Sequence, residues 1–348
     1  MPSPPDSLCL LRTSAIGDVT HVVPLIRTLQ QAWPDTALTW IVGKLERRLV
    51  GDIAGVEFVT FDKGAGHAGM RAVRRALAAR RFDALLHMQV ALRSNLLSLG
   101  VHARRRIGYD RARSKDLHGL FINERIAARH GQHVLDALAS FLEPLGLKQT
   151  TVRWNIPLPD EAREWARAQI PDDTPTLVVS PSSSHALRNW RAERYAAVID
   201  HAAARGLRVL LTGGPSQAER RMADTILAAA RSRPVDLTGK DTLKKAQALF
   251  GRASMLLTPD SGPMHMANAA GCKVIGLHAA SNPERSGPYS DRRWCVDRYD
   301  AAARKYLDKP ADALPWGKKI EQPGVMDLIG VDDVVERVEA LGGMLGVW

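Results

Sequence analysis

The chain of 348 residues is poor in cysteine, in aromatic side chains, in acids relative to bases, and in long apolar runs. Its three cysteines, Cys9, Cys272 and Cys295, are odd in number and far apart, with no Cys-x-x-Cys pair and no histidine cluster. That spacing argues against a disulfide framework and offers no zinc site, so reduced thiols and no metal are expected. Aromatic residues make up 5%, the eight Trp are scattered, and no stacking motif or helix-turn-helix is visible, which argues against a nucleic-acid partner. No apolar run reaches the ~18 residues of a membrane span. The start, Met1-Pro2-Ser3-Pro4-Pro5-Asp6, lacks the charged head and apolar core of a secretory signal, so a cytosolic protein is expected. Also missing are Gly-x-Gly-x-x-Gly and the Gly-Lys-Ser/Thr phosphate loop, which disfavours a dehydrogenase or a P-loop NTPase. No Ser-His-Asp order or Cys-His pair marks a nucleophile.

The shortage of acids leaves 48 Lys+Arg against 37 Asp+Glu, a net charge of +11. Such an excess suits an anionic partner: nucleic acid, a phosphorylated sugar or nucleotide, or an acidic membrane surface. It is also compatible with an Arg-rich composition of no functional meaning.

Short buried runs alternate with helical periodicity along the whole chain. In the first half, strands are expected at 8–11, 38–42, 56–61, 82–88 and 106–108. Helices are expected from near Thr20 to Trp33, then at 70–79, 95–99 and 133–145. Pro24 favours the start near Thr20, because proline is tolerated within a first turn. A Pro-containing linker, 146–160, precedes a second alternation. Its strands are expected at 177–179, 209–212, 235–238, 255–258 and 274–277, and its helices at 195–204, 219–230, 243–250 and 264–270. Two such arrays predict two doubly wound α/β domains facing one another.

Ligands of open α/β sheets collect beyond the carboxyl ends of the strands. Asp18 stands there, just past Leu8-Cys9-Leu10-Leu11 and next to Gly17. Two readings are open, a helix cap or an acid that meets a ligand. Ser14 and His21 share the stretch, His21 as a ligand contact or a plain surface histidine. Arg93, Arg111 and Arg113 follow later strands and would rim the same crevice, a cradle for an anionic acceptor, or else are solvated.

In the second half, Ser182-Ser183-Ser184, Gly213-Gly214 and Asp260-Ser261-Gly262 each follow a strand end and offer hydroxyls or backbone N–H groups to a phosphate. Each is also compatible with a simple turn. Pro263 preorganises a helix start, and Arg188 would neutralise a diphosphate. His265 is open between a ligand contact and a structural role. Arg285 and Tyr289 follow the last expected strand.

Ser14-Ala15-Ile16-Gly17-Asp18-Val19-Thr20-His21-Val22-Val23-Pro24 and Asp260-Ser261-Gly262-Pro263-Met264-His265-Met266-Ala267 resemble the two signatures of the bacterial ADP-heptose:lipopolysaccharide heptosyltransferases. Leu237-Thr238-Gly239-Lys240 followed by Leu243, and Asn282-Pro283-Glu284-Arg285-Ser286-Gly287-Pro288-Tyr289, resemble further segments in the family order. The resemblance implies a GT-B fold, with an acceptor domain over 1–155, a nucleotide-sugar domain over 156–330, and a helix over 331–348 packing back on the first domain. It implies inverting, metal-independent transfer of heptose from ADP-heptose to the Kdo/heptose inner core of lipopolysaccharide, without a cofactor. Asp18 would be the general base, with Ser14, Gly17, His21, Arg93, Arg111 and Arg113 on the acceptor side. Ser182, Ser183, Arg188, Gly213, Gly214, Asp260, Ser261, Gly262 and His265 would hold the donor. The lipid A-linked acceptor implies a monomer peripherally associated with the inner membrane. His278-Ala279-Ala280-Ser281 departs from the family pattern, and 309–324 reads as a variable insert. Alternatives are a related transferase using another nucleotide sugar, or a nucleotide-sugar-binding protein without turnover.

Overall fold

The computed structural model describes residues 4–148, 150–172 and 174–348; the first three residues of the N-terminal stretch read above lie outside them. The chain divides into two compact units, Met1–Pro157 and Leu158–Trp348, close to the boundary expected at 155/156.

In the first unit, strands β1 (Ser7–Leu11), β2 (Ala37–Gly43), β3 (Val56–Phe61), β4 (Phe82–His87), β5 (Ala103–Gly108) and β6 (Glu124–Arg125) form one sheet in the order β3-β2-β1-β4-β5-β6. All neighbours are parallel. β1 is central, and its Leu8, Cys9, Leu10 and Leu11 are fully buried, as a parallel strand covered on both faces must be. The sheet order reverses between β1 and β4, and the crevice beyond those two strand ends is where such sheets bind ligands.

The helix after β1 spans Ile16–Ala32, beginning a turn earlier than expected and placing Pro24 in its interior. One ladder bond is lost there, but Val19, Val22, Val23, Leu25, Ile26 and Leu29 are all fully buried. Each such side chain contributes about 2 kcal/mol, so burial outweighs the proline. The helix expected over 133–145 divides into Val134–Ala139 and a tighter turn Ser140–Leu145, where Pro144 lacks the amide to continue the α-ladder.

The second unit repeats the plan. Strands β7 (Thr176–Val179), β8 (Arg208–Leu211), β9 (Val235–Asp236), β10 (Met255–Pro259), β11 (Lys273–His278) and β12 (Val296–Asp297) form a parallel sheet in the order β12-β11-β10-β7-β8-β9. Counted within its own unit this is the same order, with the switch between β7 and β10. Leu177, Val179, Tyr195, Leu257 and Ile275 anchor its core.

The C-terminal helix spans Val331–Met344. Val334, Val338 and Leu341, spaced on one helical face, are buried in the second unit's own core, against helix Ala192–Ala204 and strands β11 and β12. Among the described residues no helix is long and apolar enough to cross a membrane.

Candidate active site

At the switch point of the first unit, the first residue beyond β1 holds the acid of the next helix. Arg12 Nη2 lies 2.5 Å from Asp18 Oδ2, and Arg12 Nη1 donates to the Met88 carbonyl just past β4 at 2.5 Å. Burial works against the guanidinium's charge, but Asp18 and Tyr109 outweigh it and hold Arg12 above its usual pKa. Asp18 Oδ2 also accepts from the Ala15 backbone N–H at 3.1 Å, the return half of a capping box. Both readings of Asp18 are therefore compatible, since a carboxylate 30% exposed closes the helix start and still faces outward.

The loops after β1 and β4 are clamped together. Gln89 Oε1 accepts from Thr13 N and Thr13 Oγ1, each at 2.8 Å, while Gln89 Nε2 donates to Ser14 Oγ at 3.2 Å. Gly17 is buried, and its carbonyl accepts from Thr20 Oγ1 at 2.6 Å. His21 is not the surface histidine considered above. It is 1% exposed, with its ring edge-on to His133 at a centroid distance of 5.4 Å.

A second histidine pair closes the wall beside β4. His87, fully buried at the strand's end, lies 4.6 Å from the His118 ring. His118 Nε2 accepts from Tyr109 N at 3.3 Å, so Nδ1 carries the proton and donates to Asn95 Oδ1 at 2.8 Å. Burial, with the cations nearby, lowers His87 to about 3 and His118 to about 4, so both are neutral at pH 7.

The three arginines expected on the acceptor side part company. Arg93 and Arg111 are exposed. Arg113 is committed to its own loop, paired with Asp110, donating to Gln132 Oε1 at 2.8 Å and the Ala127 carbonyl at 3.0 Å, and stacked over Tyr109. It shapes the loop from within.

In the second unit, Asp260, Ser261 and His265 are each at most 9% exposed where β10 leads into helix Gly262–Ala269. Ser261 Oγ turns to Thr258 Oγ1 at 2.9 Å, so no side chain caps the helix start. An uncapped helix N-terminus at a strand end is the geometry that receives phosphate. Lys319 Nζ meets Asp260 Oδ2 at 2.5 Å. Burial opposes ionisation of Asp260, but Lys319, His278 and His265 outweigh it and hold the carboxyl below its usual range. His278, buried at the end of β11, is lowered to about 4 chiefly by burial, and its Nδ1 meets Ser281 Oγ at 3.1 Å.

The loop after β7 is self-bonded. Ser183 N donates to Asn189 Oδ1 at 2.7 Å and Ser183 Oγ to the His185 carbonyl at 2.9 Å, while Ser182 is half-buried beside them. Arg188 is 2.5 Å from Glu321 through Nη2. The Gly213-Gly214 turn is less available than expected, because Gly214 N donates to Glu219 Oε1 at 2.9 Å. Arg285 packs against Gly317, where a Cβ would stand 2.6 Å from its Nε. Tyr289 stands under the Arg292 guanidinium.

The three cysteines are buried and unpaired, and burial pushes each thiol up, which makes poor nucleophiles. Among the described residues no three His, Cys, Asp or Glu are grouped to hold a metal ion.

Sequence reasoning missed Arg12, Lys319 and Glu321. Arg12 carried a signal, as the first residue beyond the central strand. Lys319 and Glu321 lay in the segment read as a variable insert.

Residues 70–316 match the model of glycosyltransferase family 9 (heptosyltransferase). The chain is 36% identical over 338 residues to the lipopolysaccharide core heptosyltransferase OpsX of Haemophilus influenzae, covering 97% of each. It is 24% identical to lipopolysaccharide heptosyltransferase 3 of Escherichia coli, over 93% of this chain and 95% of that one. Among solved structures, the glycosyl transferase family 9 protein of Veillonella parvula superposes with a TM-score of 0.79 at 22% identity, covering 97% of each chain. The E. coli heptosyltransferase WaaC with ADP superposes at 0.72 and 18% identity, over 96% of this chain and 99% of that one.

Proposed function

Because the chain belongs to glycosyltransferase family 9, the heptosyltransferases, and is a glycosyltransferase of GT-B fold, we propose that it moves heptose from ADP-heptose to the Kdo/heptose inner core of lipopolysaccharide. The observation that carries this reading is Asp18, a carboxylate held by Arg12 and the Ala15 N–H at the switch point of the first unit. The kinship with OpsX supports the acceptor, and the ADP bound to WaaC supports the donor.

Transfer proceeds in one inverting displacement. An acceptor hydroxyl attacks the anomeric carbon, Asp18 takes its proton, and the bond to the diphosphate breaks as ADP departs. Charge developing on ADP is met by Arg188, by backbone N–H groups at Ser261 and Gly262, and by the dipole of helix Gly262–Ala269, without a metal. The acceptor belongs to the first unit, where Arg93 and Arg111 suit the acidic Kdo sugars and lipid A phosphates. The donor belongs to the second.

The same reading places the protein as a monomer in the cytoplasm, on the inner face of the membrane. Its support is a surface of the first unit. Leu92, Leu96 and Leu99 follow one another along helix Leu92–Ser98 and its end, with exposures of 49%, 44% and 61%. Leu117 and Leu120 are 69% and 78% exposed, on a segment tied to that helix through Asp116, whose Oδ2 accepts from Leu92 N at 3.1 Å. Arg93, Arg111 and Lys115 stand exposed among them. Apolar side chains ringed by cations fit an anionic bilayer.

The function is tested by thermal shift with ADP and UDP, followed by turnover of ADP-heptose on a Kdo-bearing lipid A acceptor. ADP raises the melting temperature more than UDP does, and a heptosylated product of inverted anomeric configuration appears. Equal shifts, or binding without product, contradict the proposal.

A further inference from the structure

Resting on the donor assignment just made, we propose that the segment Lys319-Ile320-Glu321 is part of the diphosphate site: Lys319 and Arg188 bind the donor's diphosphate together, and the Glu321 carboxylate occupies that seat until the donor arrives.

The segment read as a variable insert is built into the site. Ile320 is 1% exposed in the core of the second unit, and its N–H donates to the Ala280 carbonyl just after β11 at 2.9 Å. Tyr299 Oη donates to the Lys318 carbonyl at 2.8 Å, fixing the approach. With Ile320 anchored, the side chains before and after it are directed at the two loops of the switch point. Lys319 reaches Asp260 beyond β10; Glu321 reaches Arg188 beyond β7.

Glu321 makes the contacts a phosphate oxygen would make. Its Oε1 accepts from Arg188 Nε at 2.7 Å and lies 2.5 Å from Nη2, while Oε2 stands 3.6 Å from His185 Nε2. A guanidinium presenting two N–H groups to one anion is equally suited to carboxylate and phosphate. Arg188 and Arg285 stand close enough to Lys319 to act on its charge. Burial and these two arginines hold the ammonium of Lys319 below its usual pKa, against the pull of Asp260. Such a gathering of cations in a partly buried place is costly unless anions join it; Asp260 is the internal anion of Lys319 and Glu321 that of Arg188. A diphosphate brings more negative charge to the same seat and exchanges with it. Lys319 also screens Asp260, which would otherwise repel a phosphate approaching the helix at Gly262.

Isothermal titration of the full chain with ADP, inorganic pyrophosphate and adenosine tests the proposal. Glu321 is a partly exposed residue, so Glu321→Gln keeps the fold. It tightens ADP and pyrophosphate by about threefold to tenfold, as loss of a competing surface ion pair should, and leaves adenosine unchanged. In an Arg188→Gln background the same change has no effect, because the competition acts through Arg188. Lys319→Gln weakens ADP about tenfold or more but not adenosine.

Unchanged or weaker ADP binding in Glu321→Gln overturns the proposal, as does an undiminished gain in the Arg188→Gln background. Equal loss of ADP and adenosine in Lys319→Gln makes that lysine structural and overturns its part. A wild-type chain that binds no ADP defeats the donor assignment itself, whereas a wild-type chain that binds ADP with a silent Glu321→Gln defeats only this inference.

Discussion

Arg12 and Asp18 form a 2.5 Å ion pair between the first residue beyond the central strand and the first turn of the helix that follows. The arginine is itself fixed by the carbonyl of Met88, so the position of the acid depends on the strand across the switch point. Arg12 is accordingly a positioning residue. Arg12→Gln lowers kcat by about tenfold to a hundredfold, because a misplaced base is costly at a reacting hydroxyl, and leaves the Kd for ADP unchanged. Arg12→Lys restores part of the rate, since a point charge replaces a two-pronged hold. Steady-state kinetics with ADP titration checks this, and equal losses in kcat and ADP affinity would assign Arg12 a merely structural part.

Acid should destabilise the first unit through His87 and His118. Their folded pKa values, about 3 and about 4, lie below the ordinary ~6.5 of the unfolded chain. Between those values the unfolded chain binds protons that the folded one refuses. The stabilisation is therefore complete above pH ~6.5 and falls as pH drops toward ~4, at up to about 1.4 kcal/mol per pH unit for each histidine. His87, fully buried at the end of β4, can be exchanged for leucine. Urea midpoints measured at pH 7.5 and pH 5 differ less in His87→Leu than in the parent; an unchanged difference refutes His87 as a source of acid sensitivity.

Membrane association can be separated from folding. Leu96 and Leu99 are exposed, so Leu96→Glu with Leu99→Glu leaves the melting temperature within a degree or two. Binding to phosphatidylglycerol vesicles falls by about tenfold or more, since each half-exposed leucine lost from the lipid is worth about 1 kcal/mol. Sedimentation with vesicles measures it, and undiminished binding would place the lipid-facing surface elsewhere.

The C-terminal helix is tested by truncating its buried face. Leu341 is fully buried in the second unit, and Leu341→Ala costs about 2–5 kcal/mol of that unit's stability. A fall in the second unit's thermal transition is the expected calorimetric result, and an unchanged one would contradict burial of Leu341.

Much of this was legible in the chain. β1, β2, β4, β10 and β11 stand out because a parallel strand covered on both faces is a short apolar run, and Asp18 and Asp260 follow the ends of β1 and β10 as expected from their spacing. The start of the first long helix was misread because Pro24 was weighed by local preference, while burial of Val19 through Leu29 decided the outcome. β6 and β12, two residues each, carry too little pattern to be seen. Arg12 and Lys319 eluded the reading for another reason. Their roles depend on Met88 and Asp260, which lie 76 and 59 positions away in sequence, and no local pattern encodes such a pairing.

The central claim is that Asp18 takes the proton from the attacking hydroxyl. It is tested most directly by Asp18→Asn, which keeps the shape of the side chain and its acceptance of the Ala15 N–H while removing the base. Transfer of heptose from ADP-heptose to a Kdo-bearing lipid A acceptor should fall by about a hundredfold to ten-thousandfold, with the Kd for ADP unchanged. Transfer within a few-fold of wild type would leave Asp18 a helix cap and contradict the account.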